Sequence, residues 1–336
     1  MLPKKQDHHA PAATELSEIN HSSGQLVLGV DLGGTKIYGA VANVGGEVLH
    51  EQSFVHRETQ AESSVAVLSN VVDQLLAFVR TTGLPLTGMA IGVPGIVQPR
   101  TGVVDLAPAF GWTGFPLGER LRARYPYPLL IENDVNLAAL GEAWFGHSAP
   151  EAGLALITIG TGIGAGIVID GAVHHGAHNM AGEVGYFLPD RSYLGQAFPG
   201  FGALEQLASG SGIARRARQV LEGIRPASEL ESLTAEAVFE ATRQGEAWAK
   251  PVVADTVDYL AQLIAAITLI FDPEVVVLGG GVARSADLLV DPIRRRLEGT
   301  LPLVPSIRVT QLGSRASMLG GIVPFLPVAS ARPGRL

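Results

Sequence analysis

The chain has 336 residues, 47% of them hydrophobic and 17% charged, with a formal net charge of −8 and no cysteine. That length and apolar content fit two domains with a large buried core, built on sheets covered on both faces. The acidic balance argues against a nucleic-acid surface, which needs basic residues, and the lack of cysteine removes disulfides and thiolate metal sites, compatible with a cytoplasmic location.

Residues 1–24, rich in His, Ser, Ala and Pro and without the apolar stretch of a signal peptide, read as a disordered leader. Strands follow at Leu26–Val30, Ile37–Val44 and Glu47–Phe54, split by Gly33-Gly34 and by Gly45-Gly46, the latter a primed hairpin turn. Val65, Leu68, Val72, Leu75, Leu76 and Val79 recur at helical spacing until Gly83 and Pro85 end the helix. Next come a strand at Met89–Val93, the turn Pro94-Gly95, a loop, a short helix near Leu117–Arg124 and a strand at Leu129–Ile131. The order βββαβαβ is an α/β arrangement.

The second half repeats the theme. A hairpin at Leu154–Asp170 is followed by a loop region to about Gly202, helices near Gly212–Leu221 and Thr234–Gln244, and a long buried helix over about Val252–Phe271. The strand Val275–Leu278 runs into Gly279-Gly280-Gly281; a last strand, Ile307–Gln311, precedes a helix starting near Ser314, and the tail from Ala329 reads as loose. The richest apolar run, Leu263–Phe271, is too short to span a membrane and stops at Asp272, Pro273 and Glu274. The boundary between lobes falls near Asn136–Glu142: a small N-terminal lobe of residues 25–138, with the last helix (about 314–328) packing back on it, and a large C-terminal lobe of residues 139–313.

Two glycine-rich hairpins share one plan: LVLGVDLGGTKIYGAVANVGG (Leu26–Gly46) and LALITIGTGIGAGIVIDG (Leu154–Gly171). Consecutive N–H groups in such turns make a concave anion site, and glycine lets a ligand approach without a Cβ in the way. The pair predicts two related lobes closing on a phosphate chain. In DLGGTK (Asp31–Lys36) the N–H groups of Gly33, Gly34 and Thr35, with Lys36 beside them, are candidates for phosphate oxygens. Asp31 is the candidate for Mg²⁺, through water, because that ion keeps part of its hydration shell; the alternative is a plain hairpin turn. Thr161 and Gly162 sit at the tip of the second turn, TIGTGIGAG.

LLIENDVNLAALGEAWFG (Leu129–Gly146) is an apolar strand ending in Glu132, Asn133 and Asp134, with a helix beginning at once. Ligands of α/β sheets sit beyond the carboxyl ends of strands, so Asp134 is the candidate base for a hydroxyl proton; the alternative is a helix cap. Glu183 in AGEVGY and Glu205 in ALEQLASG are carboxylates suited to neighbouring hydroxyls of a polyhydroxylated ligand, although Glu205 also fits an ordinary surface helix. In VVVLGGGVARS the turn at Gly280 and Gly281 can pass an adenine–ribose closely, or be only a tight strand-to-helix turn. Of His174, His175 and His178, a polar loop near the cleft is the better reading than a metal cluster, and Trp112 reads as packing.

The succession DLGGTK, GVPG (Gly92–Gly95), APAFGW, ENDVN, TIGTGIGAG, AGEVG, LExxxSG and VVLGGGV resembles the ROK family of sugar kinases and repressors from about Leu26 to Leu326. The resemblance implies an actin-like, ribonuclease-H-like ATPase fold, two lobes with a duplicated βββαβ core around a central cleft, and phosphorylation of hexoses with ATP and Mg²⁺. It implies Asp134 as base, sugar hydroxyls on Asn133, Asp134, Glu183 and Glu205 with Gly95 and Tyr186 nearby, and phosphates on the turns at Gly33–Thr35 and Thr161–Gly162. A homodimer is implied by resemblance alone; nucleic acid and membrane are not expected partners.

The chain departs from the family's pattern at the four zinc-ligand positions and at Ala109. Most members carry a His and a CxCGxxGC run that bind zinc; the corresponding residues here are Tyr186, Gln196, Phe198 and Ala203, no zinc-ligand set. The expectation is a loop without zinc, with Phe198 and Ala203 as an apolar plug. Tyr186 and Ala109 alter contacts to the sugar, so fructose, mannose or an N-acetylhexosamine stands beside glucose as the substrate, and polyphosphate beside ATP as the donor. A repressor is disfavoured, since the roughly 25 residues before Leu26 hold no pair of amphipathic helices and no basic face. A non-catalytic sugar-binding protein is the third reading.

Overall fold

The computed structural model describes residues 24–34, 36–55, 61–146, 153–198 and 202–326; the expected loose leader up to residue 23, Thr35 and the tail from Ala329 lie outside them. The first half supplies β1 (Leu26–Leu32), β2 (Lys36–Asn43), β3 (Val48–Val55), α1 (Ala61–Thr82), β4 (Leu86–Val93), β5 (Ile96–Gln98), β6 (Val103–Ala107), β7 (Trp112–Phe115), α2 (Leu117–Arg124), β8 (Leu129–Asn133) and α3 (Asp134–Phe145). The second half supplies β9 (Leu154–Ile159), β10 (Ile163–Ile169), β11 (Ala172–Val173), α4 (Ala203–Ala208), α5 (Gly210–Leu221), α6 (Ala227–Glu231) and α7 (Ala235–Arg243). The chain continues through α8 (Ala249–Phe271), β12 (Val275–Gly279), α9 (Val290–Leu297), β13 (Ser306–Val309) and α10 (Ala316–Ile322).

The two large sheets have the same topology. One is ordered β3-β2-β1-β4-β8 and the other β11-β10-β9-β12-β13. In each, the first hairpin pairs antiparallel and the later strands join parallel. This is the actin-like, ribonuclease-H-like arrangement, present twice. A third sheet, β5-β6-β7, occupies the stretch read from sequence as a loop; its strands are only three to five residues long, too short for a clear two-residue period.

Alternation along β1 assigns its faces. Leu26, Leu28 and Val30 pack with Leu68, Val72 and Leu75 of α1, whereas Val27 packs with Met318, Leu319 and Ile322 of α10. In the second sheet, Ala155, Ile157 and Ile159 face Leu260, Leu263 and Ile264 of α8, while Leu154 and Leu156 face Ala138, Ala139 and Ala143 of α3. Each fully buried Leu or Ile contributes roughly 1.5–3 kcal/mol. Helices α3 and α10 therefore lie between the sheets, and they cross with almost no side chain separating them. A Cβ on Gly320 would stand 1.8 Å from the carbonyl oxygen of Leu137, and one on Gly141 2.1 Å from that of Ala316.

Helices α1 and α8 are long and apolar enough to cross a membrane by length and composition, α8 extending well before the run read from sequence. Each lays its buried stripe on a sheet of this core.

Candidate active site

The corner between β8 and α3 is built by its own sequence. Asn133 caps α3, its side chain accepting from the N–H of Asn136 at 2.9 Å. Asp134 opens the helix, where the dipole favours a negative charge, and its Oδ1 accepts from the Val135 N–H at 3.0 Å. Glu132, 4% exposed, uses Oε1 to accept from the Asn133 N–H at 2.8 Å and from Asn136 Nδ2 at 3.1 Å. Asn133 Nδ2 donates to the carbonyl of Gly95 at 2.9 Å. Gly95 has φ +107°, and a Cβ there would meet the Leu106 carbonyl oxygen at 2.1 Å; only glycine fits this turn.

In front of this corner lies a cavity of about 850 Å³. Gly33 and Gly34 line it from one sheet, Thr161 and Gly162 from the other, with Asn133, Asp134, Glu183 and Glu205 between them. Each turn is closed by a backbone bond of its own: the Gly33 N–H donates to the Lys36 carbonyl at 3.1 Å, and, one residue tighter, the Gly160 N–H to the Gly162 carbonyl at 2.9 Å. The Gly33 N–H is thus engaged within its own hairpin. A second cavity of about 460 Å³ shares Asp134 and Gly280 with the first and adds Asp31, Gly281, Arg284 and Ser317. The groove thus runs from the carboxylates to the strand-to-helix turn after β12.

The electrostatics are those of crowded, half-buried acids. Burial first, then the Asp134 charge, pushes the Asp31 carboxyl far above the usual carboxylate range. Burial also raises Asp134, and Glu183 is pushed up to about 7 by burial and by the charges of Asp134 and Glu205. Asp31 Oδ1 is buried with no hydrogen-bond partner among the described residues. A divalent cation fits there, since it would satisfy that oxygen and relieve the crowding. No group of three or more His, Asp or Glu residues that could hold a metal occurs among the described residues, so such an ion would depend on water and ligand oxygens, as Mg²⁺ commonly does.

The remaining residues singled out from the sequence fall elsewhere. Lys36 is exposed at the start of β2 and does not line the cavity. Tyr186 is 41% exposed, in a single turn following Glu183; partial burial first, then the charges of Glu183 and Glu205, raise its phenol. Gln196 is exposed, Phe198 meets Tyr193 edge-on at 5.7 Å, and Ala203 is buried at the start of α4. Trp112 is core, stacked on Phe115 at 4.6 Å. The three histidines point to different surroundings: His174 tilts against Phe271, His175 Nε2 meets Glu132 Oε2 at 2.6 Å, and His178 is exposed.

Sequence reasoning passed over the start of α5. Ser209 caps it by accepting from the Gly212 N–H at 3.0 Å, the Gly210 N–H donates to the Gly160 carbonyl at 2.8 Å, and Ser211 and Gly212 line the cavity. The signal was there: Ser-Gly-Ser-Gly ahead of an amphipathic run is a helix start, and helix N-termini favour anions.

A model of the ROK family matches residues 27–323. The chain belongs to the ROK family. It is 33% identical over 318 residues to a glucokinase of Halalkalibacterium halodurans, covering 89% of this chain and 94% of that protein. Among solved structures it is similar to a ROK family glucokinase from Streptomyces griseus in complex with glucose and AMPPNP, with a TM-score of 0.73, 29% identity, and coverage of 89% of this chain and 98% of that one. It is also similar to a ROK family transcriptional regulator, a homolog of the E. coli MLC protein, with a TM-score of 0.79, 26% identity, and coverage of 90% and 78%. The family thus joins sugar kinases to regulators on one fold.

Proposed function

We propose that this ROK protein is an ATP-dependent hexose kinase, glucokinase-like, with Asp134 as general base and Mg²⁺ on the phosphates. One observation carries the reading: a single cavity is lined by a glycine turn from each sheet and by Asp134, Asn133, Glu183 and Glu205. The sugar hydroxyl gives its proton to Asp134 as its oxygen bonds to the γ-phosphorus; the bond from that phosphorus to the bridging oxygen breaks, and ADP leaves. A base contributes typically 10²–10⁴-fold, and positioning and electrostatics supply most of the rest. In this reading Gly34, Thr161 and the start of α5, which line the cavity, meet the phosphates, and Gly280 and Gly281 pass the adenosine. Closure of the lobes would exclude water, the competing acceptor.

The substrate is assigned as glucose, which the Streptomyces griseus relative holds in its crystal. ADP release measured across glucose, fructose, mannose, allose, N-acetylglucosamine and N-acetylmannosamine tests both the activity and the sugar. Preference for another hexose corrects the substrate; no turnover with any of them, with ATP or polyphosphate, removes the kinase. The similarity to a transcriptional regulator favours a sugar-responsive, non-catalytic protein as the second reading. Retained sugar binding without turnover would support it, with DNA binding assayed at stated salt. A homodimer, to be measured by light scattering, completes the proposal.

A further inference from the structure

His175 follows β11 in the second sheet, yet its side chain reaches the end of β8 in the first. Its Nε2 lies 2.6 Å from Glu132 Oε2. The other oxygen of that buried carboxylate accepts from the Asn133 N–H and from Asn136 Nδ2. The backbone of His175 faces the opposite way: its carbonyl accepts from the Ala181 N–H at 3.1 Å, at the entry to the loop that carries Glu183. That loop is fastened to β10 by the Ala165 N–H donating to the Gly182 carbonyl at 2.8 Å, and the His174 N–H donates to the Ile167 carbonyl at 2.8 Å.

We propose that His175 and Glu132 are positioning residues for the sugar: together they lock the Glu183 loop of one lobe to the Asn133–Asp134 corner of the other. The inference rests on the kinase reading and deepens it. An imidazole donating to a carboxylate makes a charge-assisted bond, stronger than a neutral one. Glu132 is almost wholly buried, so without His175 its Oε2 has no partner among the described residues and the carboxylate must turn toward another donor. Turning it releases the Asn133 N–H and the Asn136 amide, which fix the first turn of α3. The turns at Gly34, Thr161 and Gly280 lie outside this network, so its loss is felt by the sugar and not by the nucleotide.

Steady-state kinetics of the full-length protein test this, with the sugar that the wild type phosphorylates. His175→Ala raises the KM for sugar by about tenfold or more, the scale of losing an outer support of a site, and leaves the KM for ATP within about twofold. His175→Gln, whose Nε2 can still donate to Glu132, restores the sugar KM to near wild type. Adding Glu132→Gln to His175→Ala costs little more than either change alone, because both cut one link. An unchanged sugar KM, an equal rise in both KM values, or a Gln variant no better than Ala overturns the proposal. Should the wild type phosphorylate no sugar, the kinase reading falls, and amide hydrogen exchange decides the lock by itself. Exchange at Asn133, Asn136 and Ala181 must quicken together in His175→Ala and recover in His175→Gln; exchange unchanged at either end overturns it.

Discussion

Glu205 lies directly beneath the tip of the second glycine turn. The Ile163 N–H donates to its Oε2 at 3.4 Å, and a Cβ on Gly162 would come within 2.6 Å of the same oxygen. The turn assigned to phosphate and a carboxylate assigned to sugar are therefore in contact. Gly162→Ala should push the flexible end of Glu205 aside while the fold holds. Because misplacement of about 1 Å can cost as much as 10²-fold, kcat/KM for the sugar should fall by roughly ten- to a hundredfold. An unchanged value, with melting as in the wild type, would detach Glu205 from the sugar.

Asp134→Asn keeps the shape of the side chain and its bond from the Val135 N–H but removes the proton acceptor. Turnover should fall by at least about 10²-fold, with sugar binding by calorimetry near that of the wild type. Burial raises Asp134 above the ordinary carboxylate range, and only its ionised form accepts a proton. The acid limb of kcat/KM should therefore lie above the pH at which an unperturbed Asp, near 4, would place it. A limb at or below pH 4 contradicts the assignment.

Glu183 also has a stability signature. Its folded value near 7 lies above the unperturbed 4.5, so between those values the folded state binds more protons than the unfolded one. Stability from this group is then greatest in acid and is lost as pH rises toward and through 7. Glu183→Gln should raise the Tm of the ligand-free protein at pH 8, by roughly 1–2 °C for each kcal/mol relieved in a chain of this length, and raise it less at pH 5. Equal gains at both values would remove the buried charge as the cause.

Asp31 is the residue expected to need a cation. Chelation with EDTA should abolish turnover and added Mg²⁺ should restore it. Asp31→Asn, which removes the orphaned anionic oxygen, should demand a higher Mg²⁺ concentration for half-maximal rate. Elemental analysis of the purified protein should find zinc well below one ion per chain, since Tyr186, Gln196, Phe198 and Ala203 supply no zinc-ligand set; stoichiometric zinc would end that expectation.

Most of the fold could be read from periodicity. The alternation in β1 and β9 and the helical spacing of Leu68, Val72 and Leu75 each reflect a single face buried against a single neighbour. The small sheet β5-β6-β7 could not be read in this way, because its strands are only three to five residues long. Helix α9 (VDPIRRRL) was also missed; its Pro292 and three arginines obscure a stripe that needs only Ile293 and Leu297 buried. At the site, Asp134 and the glycine turns announce themselves through local chemistry. The His175–Glu132 bond spans 43 positions of sequence and joins two sheets, and neither residue's neighbours in the chain carry any trace of it.

The crossing of α3 and α10 bears on how the cleft can move. Where backbones touch through Gly141 and Gly320, neither rod can slide along the other without collision, so the pair behaves as one stiff axle. Asp134 is mounted on the end of that axle. A single methyl group at Gly320, 1.8 Å from the Leu137 carbonyl oxygen, would therefore disturb the mount of the aspartate far from any substrate.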